Sequence, residues 1–114
     1  MANSHFQFKQ FTIHQDQCAM KVTTDSCLFG AWVAKRTGSL ESGVDNCLDI
    51  GTGTGLLSLM LTQQNSFNID ALEIDEKAAL QAKENVAASP WKGQITIHHV
   101  DATEFLNIVR YDLI

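Results

Sequence analysis

Leu48-Asp49-Ile50-Gly51-Thr52-Gly53-Thr54-Gly55-Leu56-Leu57 is the stretch from which the fold can be read. The apolar lead-in of Cys47, Leu48 and Ile50 predicts a short buried strand, and Leu56 to Leu61 predicts a helix packed on a sheet. Between them, glycines at 51, 53 and 55 make a tight turn whose bare backbone lets a ligand approach the helix N-terminus. Strand, glycine turn and helix form the opening unit of a nucleotide-binding α/β fold. Gly-x-Gly alone is weak evidence. Glu73 sharpens it, lying 18 residues after Gly55 at the end of a second strand pattern, Ile69 to Ile74. An acid there can accept hydrogen bonds from both hydroxyls of a ribose.

Asp49 narrows the ligand class. It stands two positions before the first glycine, at the mouth of the crevice, where a dinucleotide would place its pyrophosphate. A carboxylate that close repels a diphosphate but attracts S-adenosylmethionine, which has no phosphate and carries a sulfonium and an ammonium. The pattern acidic-x-Gly-x-Gly-x-Gly resembles the cofactor loop of class I methyltransferases. It fits the dehydrogenase fingerprint less well, because position 56 is leucine where a third glycine is wanted. Two alternatives stay open here: a nicotinamide- or flavin-binding oxidoreductase, and a folded module whose glycine turn serves only packing, with Asp49 as a local cap.

Beyond this turn the pattern alternates. Strand 47–50, a helix from about Gly55 to Gln64 and strand 69–74 are followed by a helix capped by Asp75, with Ala79, Ala82 and Val86 on one face. Residues 89–93 break that helix, Ile95 and Ile97 mark a third strand, Asp101 to Asn107 predict a short helical turn, and Tyr111-Asp112-Leu113-Ile114 starts a fourth strand. The alternation predicts parallel βαβ units, hence an α/β, Rossmann-like fold. Residues 47–114 are expected to form the N-terminal half of its sheet, leaving an edge open to self-association.

Residues 1–46 read as an extension packed on that domain. Alternation at Phe6/Phe8, Phe11/Ile13 and Cys18/Met20/Val22 predicts a hairpin whose arms are separated by Gln15 to Gln17. Thr23 to Ser26 supply helix-start chemistry for a short, largely buried helix around Leu28 to Val33, and Thr37 to Asn46 form a loop. Trp32 and Trp91 are expected as core and loop anchors, and His98 and His99 as ordinary sheet residues on opposite faces.

The chain is 45% hydrophobic with a net charge of −5, so it has no overall basic footprint for nucleic acid. The acid is uneven: residues 48–114 hold nine acidic and four basic groups, against four of each in 1–47. Cys18, Cys27 and Cys47 lack any Cys-x-x-Cys pair, which argues against a zinc site and for a reducing compartment. No basic-then-apolar leader is present, and the uncharged run from Ile50 to Ile69 is broken by Gly, Gln and Asn. The expectation is a cytoplasmic protein with no metal and no membrane contact.

Phe8-Lys9-Gln10-Phe11, Cys18-Ala19-Met20-Lys21-Val22-x-Thr24-Asp25, Leu28-x-Gly30-Ala31-Trp32, Leu72-Glu73-Ile74-Asp75 and Tyr111-Asp112-Leu113-Ile114, together with the glycine loop, resemble the bacterial tRNA adenine-N6 methyltransferases. The most similar subfamily modifies the adenine beside the anticodon of valine tRNA. Thr23 and Thr54 depart mildly from its glycine and serine. The resemblance implies an S-adenosylmethionine cofactor and tRNA as partner. It assigns Gly51, Thr52, Gly53, Thr54 and Gly55 to the methionine and ribose portions, Asp49 to the positive end, and Glu73 with Ile74 to the ribose. It further assigns Asp101 and Ala102 to the adenine, and Lys21 and Thr24 to the methionine end. The family continues past Tyr-Asp-Leu-Ile into an Asn-Pro-Pro-aromatic motif that holds the target amine and stacks on the flipped base. This sequence, with Pro90 its single proline, lacks that motif, so the resemblance implies no catalytic residue here and no methyl transfer by this chain alone.

Overall fold

The computed structural model describes residues 4–19, 21–38, 44–105 and 110–114. Strands β1 (His5–Gln7) and β2 (Thr12–His14) form an antiparallel hairpin. Its turn lies earlier than the sequence suggests: Phe8 N–H donates to Phe11 C=O at 2.8 Å and the two rings stack at 4.7 Å. The expected second arm at 18–22 is not a strand among its described residues. Its polar groups go elsewhere: Gln17 N–H to the Gln81 side chain, Val22 N–H to the Gln15 side chain, and Lys21 Nζ to the Gln15 and Cys18 carbonyls. With those groups satisfied by side chains, no ladder is needed.

Helix α1 (Thr24–Gly38) begins where expected. Thr23 Oγ1 accepts from Ser26 N–H at 3.1 Å while Ser26 Oγ accepts from Thr23 N–H at 3.0 Å, a reciprocal cap. Lys35 and Arg36 fall in its last turn. The helix is longer than predicted and is not largely buried: Leu28, Phe29 and Trp32 are more than half exposed. Trp32 is therefore no core anchor; the Arg36 guanidinium lies 5.7 Å from its ring centre. What α1 does bury is its small face. A Cβ on Gly30 would come within 2.5 Å of Met60 Sδ, so glycine there makes room for the movable end of that side chain from the next helix. Trp91 meets Phe11 edge-on at 5.8 Å, a loop anchor as expected.

The remaining elements alternate as predicted: β3 (Asn46–Ile50), α2 (Leu56–Gln64), β4 (Asn68–Glu73), α3 (Glu76–Ala87) and β5 (Ile95–His99). The strands are parallel in the order β3-β4-β5, with Asp49 opposite Ala71 and Ala71 opposite Ile97. Parallel neighbours need crossovers, and α2 and α3 supply them, burying Leu59, Ile69, Ala71, Ala79, Ala82 and Ile97 in one core. Asp75 caps α3, accepting from Ala78 N–H at 2.9 Å. A 3-10 turn at Ala102–Glu104 is the described part of the expected helical turn. Met20, residues 39–43 of the expected loop, and residues 106 and 107 of that turn lie outside the described residues.

Leu113 pairs in parallel with Cys47, on the side of β3 away from β4. Leu48 N–H donates to Leu113 C=O, and Asp112 N–H to Asn46 C=O. Asp112 Oδ2 accepts from the N–H groups of both Asp45 and Asn46, which hold its carboxyl below the usual range. On the sheet, Asp70 bridges His98 (2.9 Å) and the Tyr111 hydroxyl (2.7 Å), tying this segment to β4 and β5. His99 bonds the Ile74 carbonyl, so both histidines serve the sheet.

Cys18 and Cys47 are buried. Burial, helped by Asp49, pushes the Cys47 thiol up to about 12 from an ordinary value of 9.0. The folded chain thus holds this proton after the unfolded chain has released it. Stability is expected to be insensitive to this group below pH 9 and to fall between pH 9 and about 12, an interval that urea unfolding at stepped pH would cover. Substituting Cys47→Ala should remove that part of the slope. Among the described residues no helix is long and apolar enough to cross a membrane, and no cluster of three or more His, Cys, Asp or Glu could hold a metal ion.

Candidate functional site

Consecutive strands step from β3 to β4 to β5, and the segment at 111–114 then returns to the far side of β3. That reversal opens a crevice at the carboxyl end of β3, the position where open α/β sheets bind ligands. Asp49 sits near the end of β3, Glu73 ends β4, and Asp101 follows β5 by two residues. Three carboxylates thus share one rim of the sheet.

The glycine turn spans Gly51 to Gly55. All three glycines have positive φ, at 75°, 56° and 87°. Gly51 and Thr52 N–H both donate to Leu72 C=O, and Gly53 N–H donates to Glu73 Oε1 at 2.8 Å. Glu73 Oε2 accepts from Asp75 N–H at 3.0 Å. The acid read from sequence as a ribose acceptor is therefore also the clamp holding the turn against β4. Gly55 closes the turn through its N–H to Thr52 C=O and gives α2 no side-chain cap. A Cβ on Gly55 would only touch Ala82 at 3.8 Å, so space is not its constraint; φ is. Gly55→Ala should cost about 1–2 kcal/mol in urea unfolding, the penalty of a left-handed backbone for an L-residue.

Asp49 also lines a groove of about 520 Å³ between α1 and β3, with Phe29, Trp32, Val33, Leu57 and Leu113. Its carboxylate is held on one side: Thr52 Oγ1 donates to Oδ2 at 2.9 Å and Ser58 Oγ at 2.8 Å. Ser58 is fully buried on α2 and was not legible as a site residue. The one available signal was a serine on the inner face of an otherwise leucine-rich helix.

The other candidates fall into two groups. Asp101 caps the 3-10 turn: Thr103 N–H (2.9 Å) and its hydroxyl (2.8 Å) donate to Oδ1, holding the carboxyl below the usual range. Ala102 and Ile74 are exposed at the same rim, while Thr52 and Thr54 are buried within the turn. Lys21 and Thr24 are not joined to this rim by any hydrogen bond among the described residues. The Lys21 ammonium is spent on the Gln15 and Cys18 carbonyls, and Thr24 opens α1 in solvent.

A family model described as "Methyltransferase small domain" matches residues 34–114. The chain is 54% identical over 113 residues to the "tRNA1(Val) (adenine(37)-N6)-methyltransferase" of Dyadobacter fermentans, covering 98% of this chain and 45% of that protein. It is 53% identical over 116 residues to the protein of the same name from Bacteroides thetaiotaomicron, covering all of this chain and 46% of that one. The chain spans about half the length of the curated relatives it matches. Among solved structures, the METTL16 MTase domain superposes with a TM-score of 0.62 at 26% identity, over 76% of this chain and 35% of that one. A SAM-dependent methyltransferase from Agrobacterium tumefaciens shares the fold with a TM-score of 0.70 at 16% identity, over 90% of this chain and 34% of that one. The Rossmann-like sheet, its reversal beside β3 and the match from residue 34 onward agree: this chain belongs to the methyltransferase small domain family.

Proposed function

We propose that this chain binds S-adenosylmethionine at the Asp49–Glu73 turn and serves N6-methylation of the anticodon-adjacent adenine of valine tRNA. One observation carries the cofactor reading: a carboxylate anchored by two hydroxyls stands at the carboxyl end of β3, beside a turn of bare backbone. A Cβ added at Gly51 or Gly53 would meet nothing within 4 Å, so the backbone there is open to a ligand. Asp49 attracts the cationic end, Glu73 and Ile74 hold the ribose, and Asp101 and Ala102 hold the adenine. Gly51, Thr52, Gly53, Thr54 and Gly55 shape the floor, and Lys21 and Thr24 stand toward the methionine end. When bound, the cofactor supplies a methyl group on a sulfonium.

The substrate reading is supported by the names of the relatives from Dyadobacter fermentans and Bacteroides thetaiotaomicron. It carries with it a cytoplasmic location, where tRNA resides.

Isothermal titration with S-adenosylhomocysteine and NAD side by side tests the reading. Binding of the former and not the latter is the expected result. A response to NAD alone would transfer the site to the oxidoreductases.

A further inference from the structure

Asn85 is a polar side chain enclosed by the fold, 1% exposed on α3 between Ala82 and Val86. Its carboxamide makes three bonds, all to main chain. Oδ1 accepts from His14 N–H, and Nδ2 donates to His14 C=O and to Thr54 C=O, each at 2.9 Å. One donor and two acceptors leave a single orientation of the amide that satisfies all three. The two amine hydrogens go to two different segments: one to β2, the other to the residue between Gly53 and Gly55.

One helical turn earlier, Gln81 supplies a contrast. Its Oε1 accepts from Gln17 N–H at 2.9 Å and its Nε2 donates to Asp16 Oδ1 at 2.6 Å. Gln81 holds the segment after the hairpin to α3 and Asn85 holds the hairpin itself, the two spaced i, i+4 on one face. Only Asn85 also holds the glycine turn.

We propose that Asn85 is a positioning residue of the cofactor loop, fixing the Thr54 carbonyl and thereby joining the set of the Gly53–Gly55 backbone to docking of the N-terminal hairpin. This rests on the reading of the turn as a cofactor site. The hairpin then contributes to ligand affinity without touching ligand, because releasing it frees the amide that pins the turn.

The test compares Asn85→Asp with Gln81→Glu in the full 114-residue chain. Each keeps the acceptor and the shape while removing the amine donor. Amide hydrogen exchange without ligand is expected to quicken about tenfold at Gly53 and Gly55 in Asn85→Asp and to stay unchanged there in Gln81→Glu, with S-adenosylhomocysteine affinity falling about tenfold in the first variant only. Equal exchange at the turn in both variants would overturn the proposal. Should Asn85→Asp not fold, the unaltered chain decides. Saturation with S-adenosylhomocysteine should slow exchange of the Asn85 side-chain amide and the His14 amide, and unmoved resonances at both would reject the coupling. An unaltered chain that binds no S-adenosylhomocysteine would sink the cofactor reading, while ligand-free exchange would still judge Asn85.

Discussion

Glu73→Ala should weaken S-adenosylhomocysteine binding about a hundredfold, because one carboxylate serves both the turn and the proposed ribose. Its two oxygens already take Gly53 N–H and Asp75 N–H, so removal frees the middle of the glycine turn as well as the ligand's acceptors. The side chain is only half-buried, and water can replace it on both N–H groups. Stability should therefore fall by no more than about 1 kcal/mol, the net worth of an ordinary hydrogen bond. Glu73→Gln separates the two duties. Its remaining carbonyl can still accept from Gly53 and hold the turn, while its amide nitrogen can accept neither Asp75 N–H nor a second hydroxyl. Titration and urea unfolding of both variants would check this; unchanged affinity in Glu73→Ala would remove the residue from the site.

Asp49→Asn is expected to lower affinity between about tenfold and a hundredfold while leaving the melting temperature nearly unchanged. The Thr52 and Ser58 hydroxyls both donate to Oδ2, so the asparagine carbonyl takes that place. Its amine must then occupy the other position, presenting a donor where a cation is proposed to approach. S-adenosylmethionine, with a sulfonium in addition to the ammonium, should lose more than S-adenosylhomocysteine, since the lost attraction scales with ligand charge. Equal losses for the two would place Asp49 near the ammonium alone. Ser58→Ala should reproduce a smaller part of the loss, as it frees the carboxylate to turn without discharging it.

The glycine turn was legible because its determinants are local. A positive φ at three alternate positions needs glycine at each, and the apolar periods on either side set strand and helix without reference to anything distant. The Asp75 cap and the rim positions of Asp49, Glu73 and Asp101 follow from the same local grammar. The hairpin arms were misread because alternation at Cys18 and Val22 is compatible with a strand. Whether a ladder forms there depends on a partner, and Gln81 and Gln15 took the N–H groups instead. The length and exposure of α1 were misjudged because an apolar sequence does not say which of its faces meets a neighbour.

From sequence alone came the βαβ order, the bare-backbone bend at Gly51–Gly55 and the acids that flank it, all consequences of backbone conformation and residue spacing within a few turns of chain. Tertiary structure alone decided two things: that Ser58 steadies Asp49, and that Asn85 joins the hairpin, 71 residues before it, to the glycine turn, 31 residues before it. Those choices depend on which distant groups are brought within hydrogen-bond reach, and no local pattern encodes that distance.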